Sequence, residues 1–144
     1  MGIDDIVLDS SAIVAFHAKE KYSDWVDKTL AHYLRFNILD TTPYEVFNAL
    51  NVYRIRGLVN AQEYHALTNE AKAFLKDCIV HGYGEVIDSA LKIASDTNTA
   101  IYDSAQVALA KRLRCGLLTL DINLYNKLEH FPALRNLLTV PMNS

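Results

Sequence analysis

Short apolar segments alternate with longer helical patterns along this chain, and the alternation constrains the fold more than any other feature. The apolar segment Asp5–Leu8 precedes the helical pattern Ser10–His17, and the apolar residues 117–120 follow an amphipathic segment at residues 103–114. Strands that alternate with helices are typical of a parallel sheet with helices on both faces. The sequence therefore predicts an α/β fold with a short, mostly parallel central sheet.

The remaining elements are predicted from apolar periodicity and from turn residues. Helical spacing predicts a second helix over residues 21–36, and the side chains that carry this spacing are Trp25, Thr29, Tyr33 and Phe36. A third helix is predicted from Thr42, as its N-cap, to the terminator Gly57, and Gly116 is expected to end the helix at residues 103–114. Further strands are predicted at residues 36–39, 79–80 and 137–140, and further helices at residues 60–75, 85–96 and 121–130.

Length and composition favour a single domain over residues 1–144. A chain of 144 residues, 51% of them hydrophobic, can bury a core without disulfides. No repetitive or low-complexity segment divides it. Cys78 and Cys115 are far apart and belong to no CxxC motif, so we expect two reduced core thiols, with neither a zinc site nor a disulfide.

We expect neither a membrane span nor a signal peptide. No apolar run reaches the roughly 18 residues that cross a bilayer, and Asp4 and Asp5 stand where a signal peptide carries lysine or arginine. The expected location is the cytoplasm, away from membranes. The net charge of −3 argues weakly against a protein that binds polyanions without specificity.

Two small basic groups each allow two interpretations. Arg54 and Arg56 lie near the end of one predicted helix, and Lys111, Arg112 and Arg114 lie near the end of another. The helix dipole alone favours cations at these positions, so a solvated face is the first interpretation. Contact with phosphates or with the acidic groups of a partner is the alternative.

Four acidic residues each have an adequate structural explanation. Asp9 follows the first predicted strand and is a candidate N-cap of the helix after it. Glu45 stands three residues after Thr42, as in a capping box. Asp103 and Asp121 open helical patterns and are likewise candidate N-caps.

Taken together, the same acids predict a shared site. Asp9, Glu45 and Asp121 each follow a predicted strand closely, and the carboxyl ends of parallel strands meet at one edge of a sheet. Asp103 opens the helix that runs back to the strand before Asp121, which places it near that edge. Neighbouring carboxylates raise one another's pKa, and a hard divalent ion such as Mg²⁺ or Mn²⁺ relieves the repulsion. An acidic oxygen site of this kind suits phosphodiester hydrolysis.

Four motifs in chain order carry a resemblance to a known family. They are VLDSSAIVAF, TPYEVFNAL, AIYDSAQVALAKRL and LLTLD, and their span covers nearly the whole chain. This set resembles the PIN-domain family, in particular the VapC-type ribonuclease toxins of prokaryotic toxin–antitoxin pairs. The resemblance implies a PIN-like three-layer α/β/α fold and a Mg²⁺- or Mn²⁺-dependent endoribonuclease that acts on RNA, forms a homodimer and binds a cognate antitoxin.

The resemblance also implies roles for particular residues. The family's acidic set, which holds the metal or orients the attacking water, matches Asp9, Glu45, Asp103 and Asp121. Ser11 matches a small hydroxyl residue that supports the first aspartate, and Thr119 matches the Ser or Thr usual before the last one. Asn123 stands where relatives sometimes carry another polar residue, although an exposed helix residue is the ordinary interpretation.

Two other functions remain open at this point. A phospho-accepting receiver domain is also α/β with clustered aspartates, but it needs an acidic pair after the first strand and a lysine after a late strand. Here Asp4 and Asp5 precede the first strand, and Asp121 ends the late one. A PIN-fold module that only binds a partner would keep the fold without catalysis, and retention of all four carboxylates argues against it.

Overall fold

A parallel sheet forms the centre of the computed structural model, which describes residues 4–141. Its strands are β1 (Asp5–Leu8), β2 (Arg35–Leu39), β3 (Ile79–His81), β4 (Gly116–Leu118) and β5 (Leu138–Thr139). Their order is β3-β2-β1-β4-β5, and each neighbouring pair in this described part is parallel. The predicted α/β class and parallel sheet are confirmed, with β1 as the central strand.

Helices cover both faces of the sheet. They are α1 (Ser10–His17), α2 (Ser23–Leu30), α3 (Thr42–Ile55), α4 (Ala61–Lys76), α5 (Ile87–Thr97), α6 (Ile101–Leu113), α7 (Ile122–Lys127) and α8 (Pro132–Arg135), with a 3₁₀ turn at Tyr83–Glu85. Buried side chains of α1 to α4 pack on one face, and those of α5, α6 and α7 pack on the other. The three-layer α/β/α arrangement is therefore confirmed.

The central strand β1 buries consecutive apolar side chains on both faces of the sheet. Ile6 and Leu8 contribute to the core on the α1 side, whereas Val7 contributes to the core on the α6 side. All three side chains are fully buried. Successive residues of a strand point to opposite faces, so a strand covered on both sides must be apolar throughout.

The second helix is shorter than predicted. It ends at Leu30, and a turn at Ala31 and His32 follows. The backbone N–H groups of Leu34 and Arg35 then both donate to the carbonyl of Asp4. Phe36 instead lies in β2, opposite Ile6 in the register. Tyr33 and Phe36 do pack against the core, but Tyr33 lies between α2 and β2 and Phe36 lies in β2. Their spacing in the sequence resembles that of a helix without indicating one.

The predicted ends of the two other helices have different outcomes. Gly57 follows α3 with a φ of 72°, a left-handed conformation that suits glycine, so this terminator is confirmed. Gly116 as a terminator is wrong, because α6 ends in a left-handed Arg114 and Gly116 lies in β4. A Cβ at Gly116 would lie 3.4 Å from the Leu137 carbonyl oxygen and 3.5 Å from the Thr139 hydroxyl, so this position packs against the last strand.

Two further predictions concern the cysteines and a membrane span. Cys78 and Cys115 are both buried and free, as predicted. Across residues 4–141 we find no helix with the length and apolar character that a membrane crossing requires.

Candidate active site

Asp9 follows β1 directly and caps α1, as predicted. Its Oδ1 accepts a hydrogen bond of 2.8 Å from the backbone N–H of Ser10. Its Oδ2 accepts from the hydroxyls of Ser11, at 2.9 Å, and Thr119, at 2.8 Å. Three donors thus hold the carboxylate at the carboxyl end of the central strand.

The two hydroxyl groups also connect Asp9 to the segment after β4. Thr119, which is fully buried, accepts a 3.1 Å hydrogen bond from the backbone N–H of Asp121. Ser11 accepts one of the same length from the N–H of Leu120. Asp121 then caps α7, with its Oδ1 accepting from the Leu124 N–H at 3.0 Å, so its predicted N-cap role is confirmed. Each of the two hydroxyl groups therefore connects the Asp9 carboxylate to the backbone of the segment that follows β4.

Glu45 lies in the first turns of α3, but the capping box predicted for it is wrong. The N-cap is Thr41, and no side chain caps this helix end. Thr42 is fully buried, and its hydroxyl accepts a hydrogen bond from Gln106 of α6 at 3.4 Å. Because the N-cap is Thr41 and not Thr42, Glu45 has no capping role, and its carboxylate makes no hydrogen bond or ion pair within residues 4–141.

Asp103 is also not an N-cap, contrary to the prediction. Helix α6 begins two residues earlier, at Ile101, with Ala100 as its N-cap. Asp103 therefore lies in the first turn, where the helix dipole favours a negative charge. Its carboxylate, like that of Glu45, has no hydrogen-bonding partner in the described part of the chain.

Electrostatic interactions link the four carboxylates. Partial burial raises the pKa of Glu45 above its ordinary value, and the charges of Asp9 and Asp103 raise it further. Burial likewise raises the pKa of Asp103, with contributions from Asp121 and Asp9 and an opposing one from Lys127. The folded chain thus brings all four predicted acids to one edge of the sheet, each at the start of a helix.

The chemistry of this cluster fits a hard divalent cation, although the side chains do not form a preorganised site. Among residues 4–141, no three His, Cys, Asp or Glu side chains are arranged so that they could hold a metal ion as they stand. The donor set is nevertheless all carboxylate oxygen, and two of its members lack hydrogen-bonding partners. Mg²⁺ and Mn²⁺ prefer such ligands, and either charge would lower the raised pKa values.

Other candidate residues lie apart from the cluster or add little to it. Asn123 is exposed on α7, as its ordinary interpretation expects. Lys111, Arg112 and Arg114 are exposed at the end of α6 opposite to Asp103. Lys127, whose charge lowers the pKa of Asp103, was not predicted from the sequence. A usable signal was its place in the last turn of the helix that Asp121 caps.

Comparisons with known proteins agree with this arrangement. Residues 6–128 match the family model of the PIN domain. The chain belongs to the PIN-domain family. It is also similar to "Ribonuclease VapC3" of Pyrobaculum aerophilum, with 36% identity over 90% of this chain and 96% of that protein. The resemblance of the four motifs to PIN domains of the VapC type is therefore confirmed.

Two solved structures of similar fold extend the comparison. A toxin–antitoxin complex from Klebsiella pneumoniae matches with a TM-score of 0.69 and 13% identity, covering 96% of this chain and 99% of that one. At this identity the match concerns the fold alone. PAE2754 from Pyrobaculum aerophilum matches with a TM-score of 0.62 and 25% identity, over 92% of this PIN domain and 88% of that chain.

Proposed function

We propose that this PIN domain is a metal-dependent endoribonuclease that hydrolyses RNA phosphodiesters with Mg²⁺ or Mn²⁺. One observation carries the proposal: four carboxylates at the carboxyl edge of a parallel sheet interact electrostatically, and two of them have no hydrogen-bonding partner in the described chain. Such a cluster destabilises the folded protein unless a cation neutralises it. Carboxylates with perturbed pKa values are concentrated at functional sites. The similarity to a VapC ribonuclease supports RNA as the substrate.

Each acidic residue has a role in this proposal that follows from its surroundings. Asp9, held by three donors, and Asp121, held by one, serve as the oriented ligands on the β1 and β4 side. Glu45 and Asp103 provide oxygen atoms for a cation or for the attacking water. Ser11 and Thr119 are positioning residues that act through Asp9. A bound Mg²⁺ or Mn²⁺ would polarise a phosphoryl oxygen and lower the pKa of a coordinated water.

Incubation of purified protein with end-labelled RNAs tests the reaction. We expect cleavage in Mg²⁺ or Mn²⁺, and none with a chelator or in the Asp9→Asn and Asp103→Asn variants. Asp96→Asn is the matched control, because Asp96 is an exposed aspartate on α5 whose one ion pair within residues 4–141 is with Lys92. Cleavage that survives both site substitutions would contradict the proposal and indicate a contaminant or a different site.

We further propose that the nuclease is the toxin of a VapBC-type pair, with a cognate antitoxin and a homodimeric state. The similarity to a VapC ribonuclease and the fold shared with a protein of a toxin–antitoxin complex support this role. Induced expression of the wild-type chain alone should arrest growth, and the Asp9→Asn variant should not. Sedimentation of the purified protein should give the mass of a dimer. Normal growth with the active protein would contradict the toxin role.

The receiver-domain alternative finds no support in the described residues. Asp5 is buried at the start of β1 and pairs with Arg35 across the sheet, away from the edge that Asp9 occupies. The position after β4 carries Thr119 and Asp121 in place of a lysine. A binding module without catalysis would retain the fold, and the cleavage assay distinguishes it from the nuclease.

A further inference from the structure

A groove lined by cations runs along α5 and α6, away from the acidic cluster. It consists of two cavities, of about 560 Å³ and about 360 Å³, which share Ser89, Lys111 and Arg114. Arg112 lines the smaller cavity, and Lys92 lines the larger one. We call this depression the basic groove. The proposed reaction uses none of these residues.

Three cations of the basic groove have no partner in the described chain. They are Lys111, Arg112 and Arg114. All three are exposed, and their side chains make no hydrogen bond, ion pair or cation–π contact within residues 4–141. The acidic side chains that line the groove do have partners, since Asp96 pairs with Lys92 at 3.2 Å and Glu85 contacts His81 at 3.1 Å. The groove therefore concentrates three unpaired positive charges in a chain whose net charge is −3.

Arg114 occupies a backbone position that glycine usually takes. It follows α6 with a φ of 55°, a left-handed conformation that glycine adopts without a steric cost. The helix dipole favours a cation near this end of α6, but it does not require one in a strained conformation. Strain of this kind is concentrated at functional sites, so Arg114 favours a ligand in the basic groove over a solvated face.

The lining of the basic groove favours a polyanion over a protein surface. Among residues 4–141, no exposed large hydrophobic side chain lines either cavity. Protein interfaces place apolar and aromatic side chains at their centre, where lysine is depleted. Clustered lysine and arginine side chains instead neutralise phosphates. The Ser89 hydroxyl, which has no partner in the described chain, is a further donor for a phosphate oxygen.

The basic groove extends towards the acidic cluster. Val86 lines the cavity that Lys111 lines, and it also lines a smaller cavity, of about 130 Å³, that Glu45 lines. Asp103 and Lys111 both lie on α6, and their separation along the helix axis is about 12 Å. An RNA strand with one phosphodiester at the acidic cluster can therefore continue along α6 into the basic groove.

We propose that the basic groove binds the phosphate backbone of the RNA segment next to the cleaved bond, through Lys111, Arg112 and Arg114. The inference rests on the proposed ribonuclease function and adds to it a second contact surface for the substrate. Contacts to phosphates carry no sequence information. An RNA that is long enough to reach the groove then binds more tightly than a short one, whatever its sequence.

Binding of RNA in the presence of a chelator tests the groove without cleavage. A labelled single-stranded dodecanucleotide is titrated with wild-type protein and with the groove variant, Lys111→Gln/Arg112→Gln/Arg114→Gln, at several salt concentrations. We expect the groove variant to bind at least tenfold more weakly. Its slope of log K against log salt concentration should be smaller by about 2, because each phosphate contact on a single strand contributes about 0.7. Lys111→Arg/Arg112→Lys/Arg114→Lys keeps the charge and should restore binding.

A matched control and a shorter RNA make the test specific. Lys28→Gln/Lys72→Gln/Lys76→Gln removes three exposed lysines from α2 and α4, on the other face of the sheet, and should keep the wild-type affinity. Shortening the RNA to a trinucleotide should weaken wild-type binding but affect the groove variant much less, because both changes remove the same phosphate contacts.

The outcomes separate this proposal from the ribonuclease proposal. RNA cleavage by the wild type, with equal affinity and equal salt dependence in the groove variant, would overturn the basic groove alone. A groove variant that keeps its affinity for RNA but no longer binds a poly-glutamate peptide would assign the groove to an acidic protein partner and also overturn it. Weaker RNA binding by the groove variant, without any cleavage by the wild type, would support the groove and contradict the nuclease. A wild-type protein that neither binds nor cleaves RNA would overturn both.

Discussion

Two hydroxyl groups decide the orientation of Asp9, the residue around which the site is built. Ser11 and Thr119 donate to the same carboxylate oxygen and accept from N–H groups that follow β4. An exposed carboxylate would sample several rotamers, and fixing it in advance removes that entropic cost from metal or substrate binding. The strand end thus holds a carboxylate of fixed orientation.

Thr119→Val tests this positioning role. Valine keeps the shape of the side chain, but Asp9 loses one of three donors and the Asp121 N–H loses its acceptor. We expect kcat for RNA cleavage to fall about tenfold or more, because a hydrogen bond to a charged group contributes about 1.5–3 kcal/mol. Thr119→Ser should recover most of the activity. A valine variant with wild-type kcat and an unchanged Mn²⁺ affinity would contradict the role.

Partial burial of Asp103, together with charge repulsion from Asp121 and Asp9, predicts that its carboxylate destabilises the metal-free protein. The folded-state pKa of Asp103 lies above its ordinary value, so its ionisation opposes folding. This loss of stability is absent below the pKa that Asp103 has in the unfolded chain. It develops as the pH rises through the pKa that Asp103 has in the folded protein. Asp103→Asn should therefore raise the Tm at pH 7 by a few degrees in chelator, and the gain should disappear in acid.

Thermal unfolding followed by circular dichroism from pH 3 to pH 8 measures this effect. Asp96→Asn serves as the control, because it removes a solvent-exposed ion pair with Lys92 and should give no gain in Tm. A Tm for Asp103→Asn that is lower than that of the wild type at neutral pH would contradict the repulsion.

Single residues also show where sequence reasoning reaches its limit. Asp9 and Asp121 were predicted correctly as N-caps, because capping depends on neighbours within three residues. The capping box predicted for Glu45 and the N-cap role predicted for Asp103 were wrong, because α3 and α6 begin after residues whose side chains make no capping hydrogen bond, Thr41 and Ala100. Thr42 instead contacts Gln106, 64 positions away, and local patterns contain no information about such a contact.

At the level of elements, a buried polar chain connects the first three strands of the sheet. Arg35 and Asn37 of β2 donate to Asp5 of β1, and the Arg35 hydrogen bonds hold the pKa of Asp5 well below its usual range. The side-chain oxygen of Asn37 then contacts His81 of β3 at 3.0 Å. Polar links of this kind fix the register of parallel strands whose other side chains are apolar.

Asn37→Ala should reduce stability without changing the chemistry. The substitution removes two donated hydrogen bonds and the contact to His81, and we expect a loss of about 2 kcal/mol in the free energy of unfolding. Urea unfolding measures the loss, and kcat for RNA should stay within twofold. Asn69→Ala is the control, since the side chain of exposed Asn69 hydrogen-bonds, within the described residues, only to His65 of its own helix. Equal stability of the two variants would contradict a role for this polar chain.

The order of the elements was easier to predict than their ends. Alternation of strands and helices follows from apolar periodicity, which is why the parallel sheet was predictable. The end of α2 was not, since Tyr33 and Phe36 keep the helical spacing after the helix has ended.

For the molecule as a whole, four helix starts at one sheet edge account for the placement of the acids. Asp9 and Asp121 cap α1 and α7, and Glu45 and Asp103 lie near the starts of α3 and α6. The positive ends of these helix dipoles offset part of the repulsion among the carboxylates. The remaining repulsion leaves a site that a divalent cation would stabilise, and by mass action its binding would stabilise the folded state.

Calorimetric titration of Mn²⁺ into the metal-free protein measures whether the four carboxylates bind one cation. We expect saturable binding that also raises the Tm, with an affinity at least tenfold weaker in both Asp9→Asn and Asp103→Asn and unchanged in Asp96→Asn. Equal affinity in all four proteins, or no binding to the wild type, would contradict the claim that the four carboxylates act together on one cation site.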